Sequence, residues 1–230
     1  MTRPESASPA VIQAVLWDVD GTLIDSEHLH RQVFLEVCQE HGLILDPHQA
    51  LTLMGATPEH KWRFVQARGG LGISRDQWRR EYNQRYAAGV RRTMQRREVV
   101  AVVRVLEKAG IPQACVSNGD PAVVQTNLDL LQLGDCFRFR MCNGDFERGK
   151  PHPQPYRLAC RRLGLEPACC LAVEDSATGI ESALRAGLLS FHWPLPGQTP
   201  LSGLQPHFAA GNGGFPWHLL PQVNPPPRTR

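Results

Sequence analysis

The sequence lacks any apolar run near the ~20 residues needed to cross a bilayer, and residues 1–13 lack the apolar stretch of a secretory signal. It also lacks a strong excess of one charge, because 25 Lys and Arg stand against 22 Asp and Glu, a net charge of +3. These absences argue against a membrane or nucleic-acid partner and predict a cytoplasmic protein.

Cysteine pairs at metal or redox spacing are missing as well. The seven cysteines form an odd set with no CxxC motif, and Cys115, Cys169 and Cys170 lie in apolar runs. We therefore expect reduced thiols in the core, as in a cytoplasmic protein. With 42% hydrophobic residues, the chain has enough apolar surface for one core or for a core domain with a smaller insertion.

Short apolar runs predict the strands of one sheet. They occur at 14–17, 113–116, 137–142 and 169–173, and after about residue 97 they alternate with helical patterns. Such alternation is typical of a parallel sheet flanked by helices. Between the first run and residue 97 the pattern is helical, with helices at 28–41, from Pro58, and after Ser74.

The predicted fold is therefore an α/β core with an inserted all-helical cap. We assign 12–26 and 97–195 to the core and 27–96 to the cap. Residues 1–11 and 196–230 are predicted to be irregular tails, because eight of the nineteen prolines follow residue 195.

A pair of carboxylates follows the first predicted strand, in the segment DVDGTLIDSE. Beside a divalent cation, Asp18 would stay ionised and could attack phosphorus, while Asp20 could give and then take a proton. A solvated turn is the simpler alternative. A calcium loop is excluded by spacing, since Leu29 occupies the twelfth position, where a bidentate Glu is required.

Three later segments supply further polar groups at strand ends or helix starts. Ser117 and Asn118 precede a helix opened by Asp120 and Pro121, a site suited to phosphate, although an ordinary turn has the same pattern. Lys150 also precedes a helix and could neutralise charge on a phosphoryl group. Glu174 and Asp175 end a buried strand, where an acidic pair needs a cation.

A magnesium ion would satisfy these acids. The predicted ligands are Asp18, the backbone carbonyl of Asp20, and Asp175. Glu174 is predicted to orient these ligands without binding the metal itself.

The ordered set DxDGTLxDSE, SNG, GKPxP and VEDSxxGI resembles the four motifs of the haloacid dehalogenase-like hydrolases, over roughly residues 12–193. The resemblance implies a Rossmann-like core, Asp18 as nucleophile, Asp20 as acid and base, and Ser117, Asn118 and Lys150 at the phosphate. It also implies a helical cap like that of phosphoglycolate phosphatases and β-phosphoglucomutases. Such caps close over the substrate and exclude water.

The cap also contains features with two interpretations. Ten Arg and one Lys between Lys61 and Arg97, against two acids, could attract anionic substrates or nucleic acid, or could form a solvated surface. We interpret His28, His30 and His41 as structural, with His30 near the cap hinge, and the stripe of Trp78, Tyr82 and Tyr86 as cap core.

The sequence thus predicts a magnesium-dependent phosphatase that forms an aspartyl-phosphate and acts on a small phosphorylated metabolite, such as a sugar phosphate or a phosphoglycolate-like ester. The alternatives are a sugar-phosphate mutase and a non-enzymatic binding protein of the same fold. The pattern sets neither the substrate nor the oligomeric state.

Overall fold

The computed structural model describes residues 11–198, 201–210, 214–220 and 223. The strands are β1 Ala14–Trp17, β2 Gln113–Val116, β3 Arg140–Met141, β4 Cys170–Glu174, β5 Leu189–His192 and β6 Phe208–Ala209. The helices are α1 Glu27–Glu40, α2 Pro47–Leu51, α3 Pro58–Gln66, α4 Arg75–Gly89, α5 Arg97–Lys108, α6 Pro121–Leu131, α7 Gln154–Leu163 and α8 Ala177–Ala186. Single 3₁₀ turns occur at Arg92–Met94, Gly134–Cys136, Pro167–Cys169 and Trp217–Leu219.

The strands of the described chain form one parallel sheet in the order β3-β2-β1-β4-β5-β6. Residues of β1, β2 and β4 are all buried, as expected for central strands covered by helices on both faces. Trp17 pairs with both Cys115 and Val173, so the strands end at the same edge. The predicted α/β, Rossmann-like fold is confirmed; the predicted strand at 137–142 is shorter, because only Arg140–Met141 reach the partner strand.

The helical segment between β1 and α5 contains α1 to α4. The stripe of Trp78, Tyr82 and Tyr86 on α4 is buried, and α4 packs against α1. Helix α2 was not predicted from the sequence, although Asp46 and Gln49 form a capping box at its start. Every helix in the described part of the chain is too short or too polar to cross a membrane.

Arg96 joins the end of this helical segment to the core. Its guanidinium is 5% exposed and donates to the carbonyl oxygens of Gly21, Trp193 and Pro194 at 2.7 to 3.0 Å. It thereby links the loop after β1 to the chain after β5, which are far apart in sequence.

The described residues after 195 are mostly irregular and pack on the core. Phe208 pairs with Phe191, adding β6 to the edge of β5, and Phe215 stacks on Trp17 at 6.2 Å between ring centroids. The two-residue strand β6 and the 3₁₀ turn at Trp217–Leu219 are the regular elements that the prediction of an irregular tail did not include. The predicted tail at 1–11 lies outside the described residues except for its last position.

Candidate active site

Four segments distant in sequence meet at the carboxyl edge of the sheet, around one cavity of about 60 Å³. Asp18 and Asp20 follow β1, Ser117 and Asn118 follow β2, and Asp175 follows β4. The cavity is lined by these residues and by Lys150. Glu174, the last residue of β4, is fully buried behind them. The parallel sheet thus places all seven predicted site residues together.

The Lys150 ammonium is the central cation of the site. Its Nζ donates to Asp18 Oδ1, Glu174 Oε1 and the carbonyl oxygen of Val116, each at 2.6 Å. Burial opposes the charged form, but the two carboxylates outweigh it and raise the pKa of Lys150. Lys150 is therefore held as an ammonium that fixes one oxygen of Asp18.

An acidic cluster fits a divalent cation. Oxygen atoms of Asp18, Glu174 and Asp175 lie within 4.8 Å of one another, and all three residues are buried. Burial and, after it, the carboxylates of Glu174 and Glu27 together raise the pKa of Asp175 to about 7. Burial also raises the pKa of Asp18, against the effect of Lys150. Such crowding of carboxylates needs added positive charge, and an all-oxygen donor set suits a hard divalent ion.

The cluster differs in one respect from the predicted ligand set. The Glu174 carboxylate belongs to it, whereas the Asp20 side chain does not. Glu174 Oε1 is occupied by Lys150 and by the Tyr156 hydroxyl, which donates at 2.5 Å. Its Oε2 is buried and has no hydrogen-bond partner in the described part of the protein. The metal contact expected from the Asp20 backbone carbonyl stays a prediction.

The Asp20 carboxylate faces the cap instead. Its Oδ1 accepts from Ser26 Oγ at 2.8 Å and Asn127 Nδ2 at 3.0 Å, and His30 Nε2 lies 2.9 Å away. Burial would raise the pKa of Asp20, but His30 and the Ser26 hydroxyl more than compensate and lower it. Asp20 is therefore an ionised carboxylate here, ready to accept a proton.

The two predicted phosphate ligands on the loop after β2 differ. Ser117 Oγ accepts from the Gly119 N–H at 2.9 Å, so its own hydrogen can point into the cavity. The Asn118 amide bridges loops instead: its Nδ2 donates to the Gly55 and Lys150 carbonyls, and its Oδ1 accepts from the Lys150 N–H. The Asn118 side chain thus positions Lys150 and the cap loop, and a phosphate contact at Asn118 stays a prediction.

Known proteins resemble this chain over the region that contains these four site segments. A model of the haloacid dehalogenase-like hydrolase family matches residues 12–187. The chain belongs to this family. It is 30% identical to validoxylamine A 7'-phosphate phosphatase of Streptomyces hygroscopicus, over 76% of this chain and 83% of that protein. It is 27% identical to 6-phosphogluconate phosphatase of Escherichia coli, over 79% and 82%.

A solved structure supports the fold assignment of this haloacid dehalogenase-like hydrolase. CbbY from Rhodobacter sphaeroides, solved with phosphate, superposes with a TM-score of 0.75 at 24% identity, over 88% of this chain and 97% of that one. The predicted family is confirmed by the match of its model and by these relatives.

The sequence analysis of this hydrolase missed the contact made by His30. Besides Asp20, His30 contacts the Tyr82 hydroxyl through Nδ1 at 2.7 Å, and Tyr86 donates to Asn127 at 2.9 Å. Helices α1, α4 and α6 therefore converge on Asp20. The ten-residue spacing of Asp20 and His30 does not predict their contact. The conformation of the chain between them decides whether the imidazole points toward the Asp20 carboxylate.

The place of Lys61 at the site was not predicted either, because Lys61 was grouped with the basic residues of the cap surface. It lies on α3, lines the cavity, and sits 5.5 Å from the centre of the Tyr82 ring. Burial lowers the pKa of Lys61 to about 8, although Asp20 and Glu27 oppose this effect. Cap arginines behave differently, since several pair with carboxylates: Arg63 and Arg75 with Glu59, Arg79 with the buried Asp120, and Arg85 with Glu40.

Proposed function

We propose that this hydrolase is a phosphatase that hydrolyses the monoester of a small phosphorylated metabolite through an aspartyl-phosphate at Asp18. The observation that carries the proposal is the meeting of Asp18, Asp20, Lys150 and Asp175 at one small cavity. The names of the two relatives above, both phosphatases of phosphorylated sugars or sugar-like compounds, support the same reaction class.

In the first half of the reaction, one oxygen of Asp18 attacks phosphorus and the bond to the leaving oxygen breaks. Lys150 holds Asp18 Oδ1 at 2.6 Å, which fixes the direction of the carboxylate. The same ammonium neutralises charge that develops on the phosphoryl oxygens, and the Ser117 hydroxyl donates to one of them. Asp20 supplies to the leaving alcohol the proton that it took from water in the preceding turnover.

In the second half, water attacks the phosphorus of the acyl-phosphate and Asp18 is released. Asp20, ionised once it has given its proton to the leaving group, takes the proton from this water. Mg²⁺ would be held by Asp18, Asp175 and the Asp20 carbonyl, with Glu174 beside them, and would supply positive charge for the phosphoryl oxygens. A cytoplasmic location is part of the proposal and agrees with seven free thiols.

The test is phosphate release from a panel of phosphorylated sugars, sugar acids, polyols and phosphoglycolate. We expect turnover with Mg²⁺ that EDTA abolishes and added Mg²⁺ restores. Asp18→Asn should lower kcat by more than about 1,000-fold. The matched control is Asp135→Asn, an exposed acid in the turn before β3, which should leave kcat within twofold.

Each other outcome has a definite meaning. Interconversion of sugar phosphates without net phosphate release would favour the mutase alternative, in which a second hydroxyl replaces water. Full activity of Asp18→Asn, with its fold intact by circular dichroism, would rule out the aspartyl-phosphate.

A further inference from the structure

The two oxygens of the Asp20 carboxylate have different surroundings. Oδ1 accepts from Ser26 and Asn127 at 2.8 and 3.0 Å, and His30 Nε2 lies 2.9 Å from it. Oδ2 has no hydrogen-bond partner in the described part of the chain. It lies beside Gly119, where a Cβ would come within 3.2 Å of it, and Asp20 and Gly119 both line the catalytic cavity. Oδ2 is therefore the oxygen left to exchange a proton with a bound ester.

Asn127 holds Oδ1 from the core helix α6. Its side chain is fully buried, and both of its polar atoms are paired. Nδ2 donates to Asp20, and Oδ1 of the amide accepts from the Tyr86 hydroxyl at 2.9 Å. Because the ionised Asp20 carboxylate can only accept, it must face the Nδ2 end of this amide. A buried amide that lost either partner would leave a polar atom unpaired, so the arrangement is strongly favoured.

Tyr86 anchors the far end of the Asn127 amide. It lies on α4, its side chain is fully buried, and its ring stacks on His30 with the ring centroids 4.4 Å apart. Tyr86 therefore touches two of the three side chains that contact Oδ1. Its hydroxyl has a separate effect from its ring, since the hydroxyl bonds to Asn127 and the ring packs on His30.

We propose that Asn127 is a positioning residue for proton transfer: by holding Oδ1, it keeps Oδ2 of Asp20 turned toward the leaving oxygen, and the Tyr86 hydroxyl anchors Asn127 in turn. This inference rests on the proposed phosphatase function. In the step concerned, the bond between phosphorus and the leaving oxygen breaks, its electron pair stays on that oxygen, and the proton on Oδ2 passes to it. Asp20 is left as a carboxylate that is still held at Oδ1.

The test compares kcat/KM for phenyl phosphate and p-nitrophenyl phosphate, which differ only in the nitro group. This parameter covers the steps up to release of the leaving group, and phenolate needs the proton far more than p-nitrophenolate does. Asn127→Leu keeps the approximate shape of the side chain and removes the amide. We expect it to lower kcat/KM about 10- to 100-fold for phenyl phosphate and less than about threefold for the nitro ester.

Gln113→Leu is the matched control. Gln113 is also a core amide, 1% exposed, that bridges two groups, the Trp17 indole and the Val103 carbonyl, but it lies at the start of β2, away from the site. Its loss should leave the ratio of the two kcat/KM values as in the wild type, because it has no contact with Asp20.

Tyr86→Phe tests the anchor with a milder change, since it keeps the ring on His30 and removes only the hydroxyl. We expect a loss of about 3- to 10-fold that is again confined to phenyl phosphate. Adding Tyr86→Phe to Asn127→Leu should cause no further loss, because the hydroxyl acts through the amide.

Several results would overturn the inference. An equal loss on both esters in Asn127→Leu would show that Asn127 only supports the fold, and would leave the phosphatase standing. If Asn127→Leu is unfolded by circular dichroism, Tyr86→Phe decides alone, and a wild-type ratio in that variant removes the role of the bridge. A further selective loss in the double variant contradicts the anchoring by Tyr86. No hydrolysis of any ester by the Mg²⁺-loaded wild type overturns the proposed function together with this inference.

Discussion

Asp18 and Asp20, two positions apart, have opposite electrostatic surroundings. Asp18 lies with Glu174 and Asp175 and is bonded to Lys150, while Asp20 turns toward the cap and the His30 ring. The pKa of Asp18 is raised by burial, and the pKa of Asp20 is lowered by His30 and Ser26 against the effect of burial. These different surroundings support the proposed roles, nucleophile for Asp18 and proton transfer for Asp20.

His30 should act through Asp20 on the leaving group. In His30→Gln we expect kcat/KM for an alkyl phosphate to fall roughly 10- to 100-fold, because Asp20 loses a contact that places it for proton transfer. The loss should be smaller for p-nitrophenyl phosphate, whose leaving group needs no proton. His28→Gln, two residues earlier and exposed, is the control. An equal loss on both esters would show that His30 is only structural.

At the scale of the element, the start of α8 is shaped by the site beneath it. Ser176 caps the helix by accepting from the Gly179 N–H at 3.1 Å. Glu174 lies directly under Gly179, because a Cβ built there would come within 1.9 Å of Glu174 Oε2. The absence of a side chain at Gly179 therefore lets the buried carboxylate reach Lys150.

Gly179→Ala should be destabilising although alanine favours helix formation. The added methyl group has to displace Glu174 or the helix, at a cost of about 1 to 3 kcal/mol, and kcat should fall because Lys150 loses its alignment. Thermal unfolding and steady-state kinetics measure the two effects. Gly134→Ala, where a Cβ meets nothing within 4 Å, is the matched control. A stabilised Gly179→Ala protein would contradict this account.

At the scale of the whole molecule, the described residues 208–210 and 214–220 complete the core beside β1 and β5. Phe215, 7% exposed, stacks on Trp17 at 6.2 Å, meets Phe191 edge to face at 5.5 Å, and packs on Trp217 at 4.7 Å. The Ile12 N–H donates to the Leu219 carbonyl at 3.0 Å, which ties both ends of the described chain together.

Phe215→Ala should lower the free energy of unfolding by about 3 kcal/mol, because it removes a buried ring and leaves a cavity beside Trp17. Urea unfolding, followed by tryptophan fluorescence, measures the change. Ile44→Ala, at an 85% exposed position, should change stability by less than about 0.5 kcal/mol. Equal stability of the two variants would mean that the tail contributes little to the core.

The catalytic cavity of about 60 Å³ also belongs to this scale. The cap loop forms part of its wall, and the Gly55 carbonyl on this loop accepts a hydrogen bond from Asn118 Nδ2 at 3.0 Å. Any movement of the cap away from the core therefore has to break this hydrogen bond.

The sequence by itself determined the central sheet and the polar groups that meet at its edge. Strands β1 and β2 follow from short apolar runs, and β4 is shifted by one residue from its predicted position. Since parallel strands end at one edge, the polar residues after them had to meet. Asp18, Lys150 and Asp175 could be identified for this reason and because their motifs follow in a characteristic order.

Only the tertiary structure decided what these groups contact. How the cap sits over the core decides the direction of the His30 ring, the place of Lys61 in the wall of the cavity, and the use of the Asn118 amide as a bridge. Such contacts join residues tens of positions apart, and local patterns carry no information about them. The physical reason is that strand ends are fixed by backbone hydrogen bonds, whereas the cap is placed by side-chain packing.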